Sequence, residues 1–109
     1  MSKQASAMTK RRVRGSRTGR PIMVLLDLLG RRWSLRILWE LREGALTSRA
    51  LRTACDEASP TVLNERLKEL READFIELGD GGYTLTTIGR ELSEKCMPLY
   101  HFAEKWSKR

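Results

Sequence analysis

The chain has 109 residues, enough for one domain with a modest core. Its formal net charge of +7 is carried entirely by residues 1–20, which hold seven Lys or Arg and no acid, while the remainder has 14 bases against 14 acids. The longest apolar run, residues 22–29, is broken by Asp27 and falls far short of the roughly 20 residues of a membrane span. Cys55 and Cys96 form neither a metal-ligand spacing nor a C-x-x-C pair, which excludes a zinc ribbon or a dithiol redox site and suits a reducing, cytoplasmic location.

Residues 1–19 contain few large apolar side chains and read as a basic arm unable to bury enough surface to order itself. A one-signed charge next to a folded body points to a polyanion partner. Arg12, Arg14 and Arg17 are its phosphate-contact candidates. The folded domain is expected over residues 20–109.

Pro21 opens a short helix that stops at Gly30. Ile22, Leu25, Leu26 and Leu29 make its main face, and Met23, Val24 and Leu28 widen it. A helix apolar nearly all round is covered on several sides, and in so small a domain a second subunit is the simplest cover. A second helix is expected over residues 33–43, ending at Gly44, with Trp33, Ile37, Leu38 and Leu41 as its core stripe. Leu35 and Trp39 project from its other side, either capped by the Arg36 and Arg42 stems or lining a dimer seam or ligand pocket.

Residues 46–47 read as one short strand. Thr47 or Ser48 then caps a third helix at 48–54, with Leu51 and Ala54 inward and Arg49 and Arg52 outward. After the turn 55–58, Ser59 supplies an N-cap hydroxyl and Pro60 the first helical position. Leu63, Leu67 and Leu70 recur at helical spacing, and Thr61, Glu65, Lys68 and Glu72 fall opposite them, with Asn64 and Arg71 on the flank. A short helix, a tight turn and a longer polar-faced helix make a helix-turn-helix. Residues 75–78 and 83–86 read as strands around the Gly79-Asp80-Gly81-Gly82 turn, so the hairpin would be a wing. Thr86 or Thr87 caps a last long helix to about residue 107. Its stripe is Ile88, Leu92, Leu99, Phe102 and Trp106, and Pro98 inside it predicts a kink. The fold class is therefore mainly α (α+β): a winged helix-turn-helix with a short hairpin wing and dimerisation helices at both ends. Ile22, Leu26, Leu92, Leu99, Phe102 and Trp106 are the expected interface.

On the polar helix, Thr61, Asn64, Glu65 and Lys68 are the base-reading candidates: Lys68 for guanine, Asn64 for adenine, Glu65 for cytosine and Thr61 for a thymine methyl. Glu65 has competing roles in pairing with Lys68 or Arg49, or in repelling DNA. Ser48, Arg49, Arg52, Ser59 and Arg66 are phosphate candidates. No nucleophile–base pair, Gly-rich phosphate loop or metal cluster is legible, so no enzyme, cofactor or metal is expected. Double-stranded DNA is the expected partner. The competing classes are a winged-helix module for protein contact and an RNA binder, and the second is disfavoured because the polar helix has no aromatic to stack a base.

The chain resembles the HxlR-type winged-helix transcription regulators, relatives of the MarR group. The resemblance rests on Asp27-Leu28-Leu29-Gly30 with Trp33, Ile37-Leu38-x-Glu40-Leu41, Gly44-x-Leu46, the run from Ser59 to Leu70, and Tyr83-x-Leu85-Thr86 with Gly89. It implies a bacterial, cytoplasmic homodimer that binds a near-palindromic operator and represses or activates a neighbouring gene. It also leaves room for control by a small effector molecule. Three positions depart from the family pattern. Arg20 stands where members often carry a sensing cysteine, the wing loop has Asp80 and no base, and Ser48 replaces a frequent aromatic.

Overall fold

The structure, a computed structural model, describes residues 19–109. Its elements are α1 (Pro21–Leu29), α2 (Ser34–Glu40) with a 3-10 turn at Leu41–Glu43, α3 (Ser48–Ala54), α4 (Pro60–Glu72), β1 (Ile76–Gly79), β2 (Gly82–Leu85) and α5 (Thr87–Ser107). This is the mainly helical winged helix-turn-helix that the pattern predicts.

α1 ends at Gly30 as expected, although Gly30 is right-handed, with φ −76°, rather than in a left-handed cap. α2 is shorter than its periodicity suggests. Trp33 takes a left-handed φ of 77° and lies outside the helix. That conformation is costly for an aromatic residue, and the packing of its ring against the core offsets the cost. At the other end the last turn tightens, with Gly44 N–H donating to Leu41 C=O at 3.4 Å.

The turn between α3 and α4 is made by Asp56 and Glu57, both left-handed at φ 55° and 58°. Thr47 caps α3, its hydroxyl accepting from Ala50 N–H at 3.1 Å. Ser59 does not cap α4 with its side chain, contrary to expectation. Its backbone carbonyl starts the helix instead, accepting from Leu63 N–H at 2.9 Å, and Pro60 fixes the first helical φ.

β1 and β2 pair antiparallel with Gly79 opposite Gly82, so the loop is Asp80-Gly81 alone. The expected strand at residues 46–47 is a single bridge: Leu46 and Tyr83 exchange both backbone hydrogen bonds, at 3.0 and 2.8 Å. Gly82 permits this approach, since a Cβ there would sit 2.5 Å from the Leu46 carbonyl. Gly89 plays the same part at the start of α5, where a Cβ would fall 1.9 Å from Phe75 O. Thr86 fastens the corner twice, accepting from Gly89 N–H and donating to Asp74 C=O.

One core joins these elements. Ile37, Leu38 and Leu41 of the α2 segment meet Leu51, Leu63, Leu67 and Leu70, closed by Ile76 and Leu85 of the hairpin. Cys55 lies fully buried within it. α5 is about 31 Å long at 1.5 Å per residue and runs as one helix through Pro98. Its first half packs on the core through Leu92, while Leu99, Phe102 and Trp106 are each more than half exposed. Ile22 and Leu26 of α1 are equally bare. Among the described residues, no helix is long and apolar enough to cross a membrane.

Candidate nucleic-acid interface

α4 is anchored from one side only. Leu63, Leu67 and Leu70 are all at least 98% buried, and a leucine buried to that degree stabilises by about 1.5–3 kcal/mol relative to leaving it exposed. The opposite face is open: Thr61, Asn64, Glu65 and Lys68 are all exposed. At 100° per residue these four occupy an arc of about 100° opposite the leucines. A bare helix fits a B-form major groove about 12 Å wide. The hydroxyl, amide, carboxylate and ammonium on this face can donate to or accept from base edges.

α3 packs against α4. Ser48 and Arg49 are exposed at its capped start. Arg52 is exposed as well and lies 3.5 Å from Glu57, an open contact that water screens. Ser59, at the entrance to α4, is exposed with its hydroxyl uncommitted to capping. These four are available to phosphate.

Arg66, also expected at phosphate, is engaged within the domain. Its side chain is only 14% exposed. Its guanidinium donates to Glu69 and lies 3.7 Å from Glu65. The reason is its place on α4, one position before Leu67, where the side chain is turned toward the body of the domain. Glu65 accordingly leans on Arg66, rather than on the Lys68 or Arg49 that the sequence suggests. Arg12, Arg14 and Arg17 lie outside the described residues.

The wing is acidic. Between Asp74 and Gly89 the chain contains Asp74, Glu77 and Asp80 and no Lys or Arg. Glu77 and Asp80 are exposed. A hollow of about 390 Å³ between α4 and β1 is lined by Lys68, Arg71, Glu72, Asp74 and Glu77 among others, so the two bases of α4 there face three carboxylates. The hairpin itself adds no positive charge to meet a phosphate.

Leu35 and Trp39 divide. Leu35 packs against the core. Trp39 carries the Arg42 guanidinium over one face at 3.7 Å and meets Tyr100 edge-on, centroids 4.6 Å apart. Arg36 turns away, to Glu40 at 2.8 Å and Ala54 C=O at 2.7 Å. Trp39 and Tyr100 border an open groove of about 650 Å³ between α2 and α5, with Glu40, His101 and Glu104 on its rim. Tyr100, whose hydroxyl donates to Leu35 C=O at 3.3 Å, makes a contact that one-dimensional patterning missed, 65 residues from its partner. Leu92, expected at a subunit interface, is half-buried against the chain's own core. Ile22, Leu26, Leu99, Phe102 and Trp106 remain uncovered. Burial pushes the Cys55 and Cys96 thiols above the ordinary thiol range. Among the described residues, no three His, Cys, Asp or Glu side chains converge as a metal site.

Known proteins are similar to this chain in sequence and fold. The HxlR-like helix-turn-helix family model matches residues 28–109. An uncharacterized HTH-type transcriptional regulator of Methanocaldococcus jannaschii is 28% identical over 90 residues, covering 79% of this chain and 85% of that protein. The crystal structure of quinone-bound YodB from B. subtilis superposes with a TM-score of 0.71 at 28% identity, over 77% of this chain and 96% of that one.

Proposed function

The chain belongs to the HxlR-like helix-turn-helix family, and from this we propose that it is a transcriptional regulator that binds double-stranded DNA as a homodimer and represses a gene beside a near-palindromic operator. The DNA-binding regulatory role is the common ground of the family and the relative above. The observation that carries the finer reading is the one-sided burial of α4. Three leucines hold it, and Thr61, Asn64, Glu65 and Lys68 face outward, exposed in the folded chain.

In this reading α4 enters the major groove. Lys68 donates to guanine, Asn64 pairs with adenine, Glu65 accepts from cytosine and Thr61 meets a thymine methyl. Ser48, Arg49, Arg52 and Ser59 hold the flanking phosphates and set the register. Arg12, Arg14 and Arg17 supply the phosphate neutralisation that the acidic wing does not. Two copies join through Ile22 and Leu26 of α1 and Leu99, Phe102 and Trp106 of α5, because these are large apolar side chains left bare in the single chain. The two-fold axis then places the half-sites about one helical turn, ~34 Å, apart. Occupancy of the operator excludes the transcription machinery. The groove beside Trp39 and Tyr100 supports a second layer, in which a small effector wedged between α2 and α5 shifts the dimer's affinity for DNA.

Selection from a random pool of duplexes tests the reading. The full chain should enrich an inverted repeat. A pool that emerges without consensus would favour the protein-contact module, with α4 as the docking face.

A further inference from the structure

A run of charges alternating in sign links α1 to the reading face of α4. Asp27, in the last turn of α1, accepts from Arg31 at 3.3 Å. Arg31 also donates to one carboxylate oxygen of Glu69 at 3.0 Å. The other Glu69 oxygen accepts from Arg66, whose second amino group lies 3.7 Å from Glu65. Glu65 is on the exposed arc of α4. Most of the run is enclosed: the Asp27 and Arg66 side chains are 14% exposed and Glu69 is 19% exposed, while Arg31, which joins them, is 37% exposed. Arg66 Nε is buried with no hydrogen-bond partner among the described residues.

Enclosed charges of this kind are screened far less than surface pairs. A carboxylate gripped by a guanidinium at each oxygen also has little angular freedom. The core leucines hold α4 by close packing, which is non-directional. The Glu69 grip adds a directional contact, and so constrains how α4 is turned and tilted relative to α1, the helix that bears Ile22 and Leu26.

We propose that Arg31 and Glu69 are positioning residues that fix the distance between the two reading helices, and so determine which half-site spacing the dimer accepts. This rests on the dimeric DNA-binding reading. In a two-fold assembly joined through α1, any change in the angle between α1 and α4 is doubled across the axis. The Arg31–Glu69 contact is thus a spacing determinant although neither side chain is on the base-reading arc.

The test uses full-length protein and a set of duplexes carrying the enriched half-sites at separations changed one base pair at a time. Wild type should discriminate sharply among separations. Arg31→Gln and Glu69→Gln should each reduce the affinity ratio between the best and the neighbouring separation by about threefold or more, while base preferences within a half-site persist. Arg31→Lys, which keeps the charge and loses the fork, should recover part of the ratio. Thermal melts identify variants that remain folded, and Arg31→Lys supplies the reading if the neutral variants do not. A folded variant that weakens binding equally at every separation overturns the proposal, as does a wild type indifferent to separation. Absence of duplex binding by wild type would strike the function itself, and this inference with it.

Discussion

Lys68 and Asn64 are the residues through which α4 would carry sequence information, because both are exposed on its open arc and both have groups that match base edges. Truncating either to alanine should cost about 1–3 kcal/mol at particular base pairs and little at others, read by competition titrations against single-base variants of the operator. A uniform loss over all sequences would move the reading register along the helix. Cys55 makes a different prediction. Burial raises its thiol, so the unfolded chain ionises first. The associated stability is complete below the usual thiol range of about 8.5 and is lost as pH rises through the folded value. Urea midpoints should fall as pH rises above about 8.5, and should fall less in Cys55→Ala. At neutral pH both thiols should react slowly with an alkylating reagent until the protein is unfolded.

At the scale of the element, α4 and the hairpin are the most legible parts of the sequence. Leucine spacing sets one face of α4, and the Gly-Asp-Gly-Gly turn sets the hairpin, because both are local signals with a fixed period or a required φ. What is not legible depends on neighbours distant in the chain. Ser59 reads as a side-chain cap, yet it is the backbone carbonyl that starts the helix. Trp33 reads as helical, yet stands left-handed outside α2. Arg66 reads as a phosphate ligand, although its i,i+3 partner Glu69 is visible at the right spacing. Only the fold shows Arg31 arriving from 38 residues away to complete the network. Leu92 and Leu99 share one apolar stripe, but the core ends between them. The acidic wing leads to a prediction about the arm. Removing residues 1–18 should flatten the log–log dependence of operator affinity on salt by about 0.9 for each phosphate the arm had neutralised. An unchanged slope would return that neutralisation to the body of the domain.

For the whole molecule, the proposed function divides labour between a neutral body that would read and join and a basic arm that would attract. The body leaves two kinds of surface uncovered: the polar arc of α4 and the apolar ends formed by α1 and α5. The proposed dimer would cover the apolar ends with a second copy and leave two polar arcs related by a two-fold axis. The ion run from Asp27 to Glu65 would make that pair of arcs a fixed caliper rather than two loosely tethered readers. The most direct measurement is a hydroxyl-radical footprint of the full chain on its selected duplex. Two equal protected patches on one side of the helix, centred about 10 base pairs apart and both lost in Asn64→Ala/Lys68→Ala, are the predicted result. A single patch, or protection that persists without those two side chains, would contradict a paired reading helix.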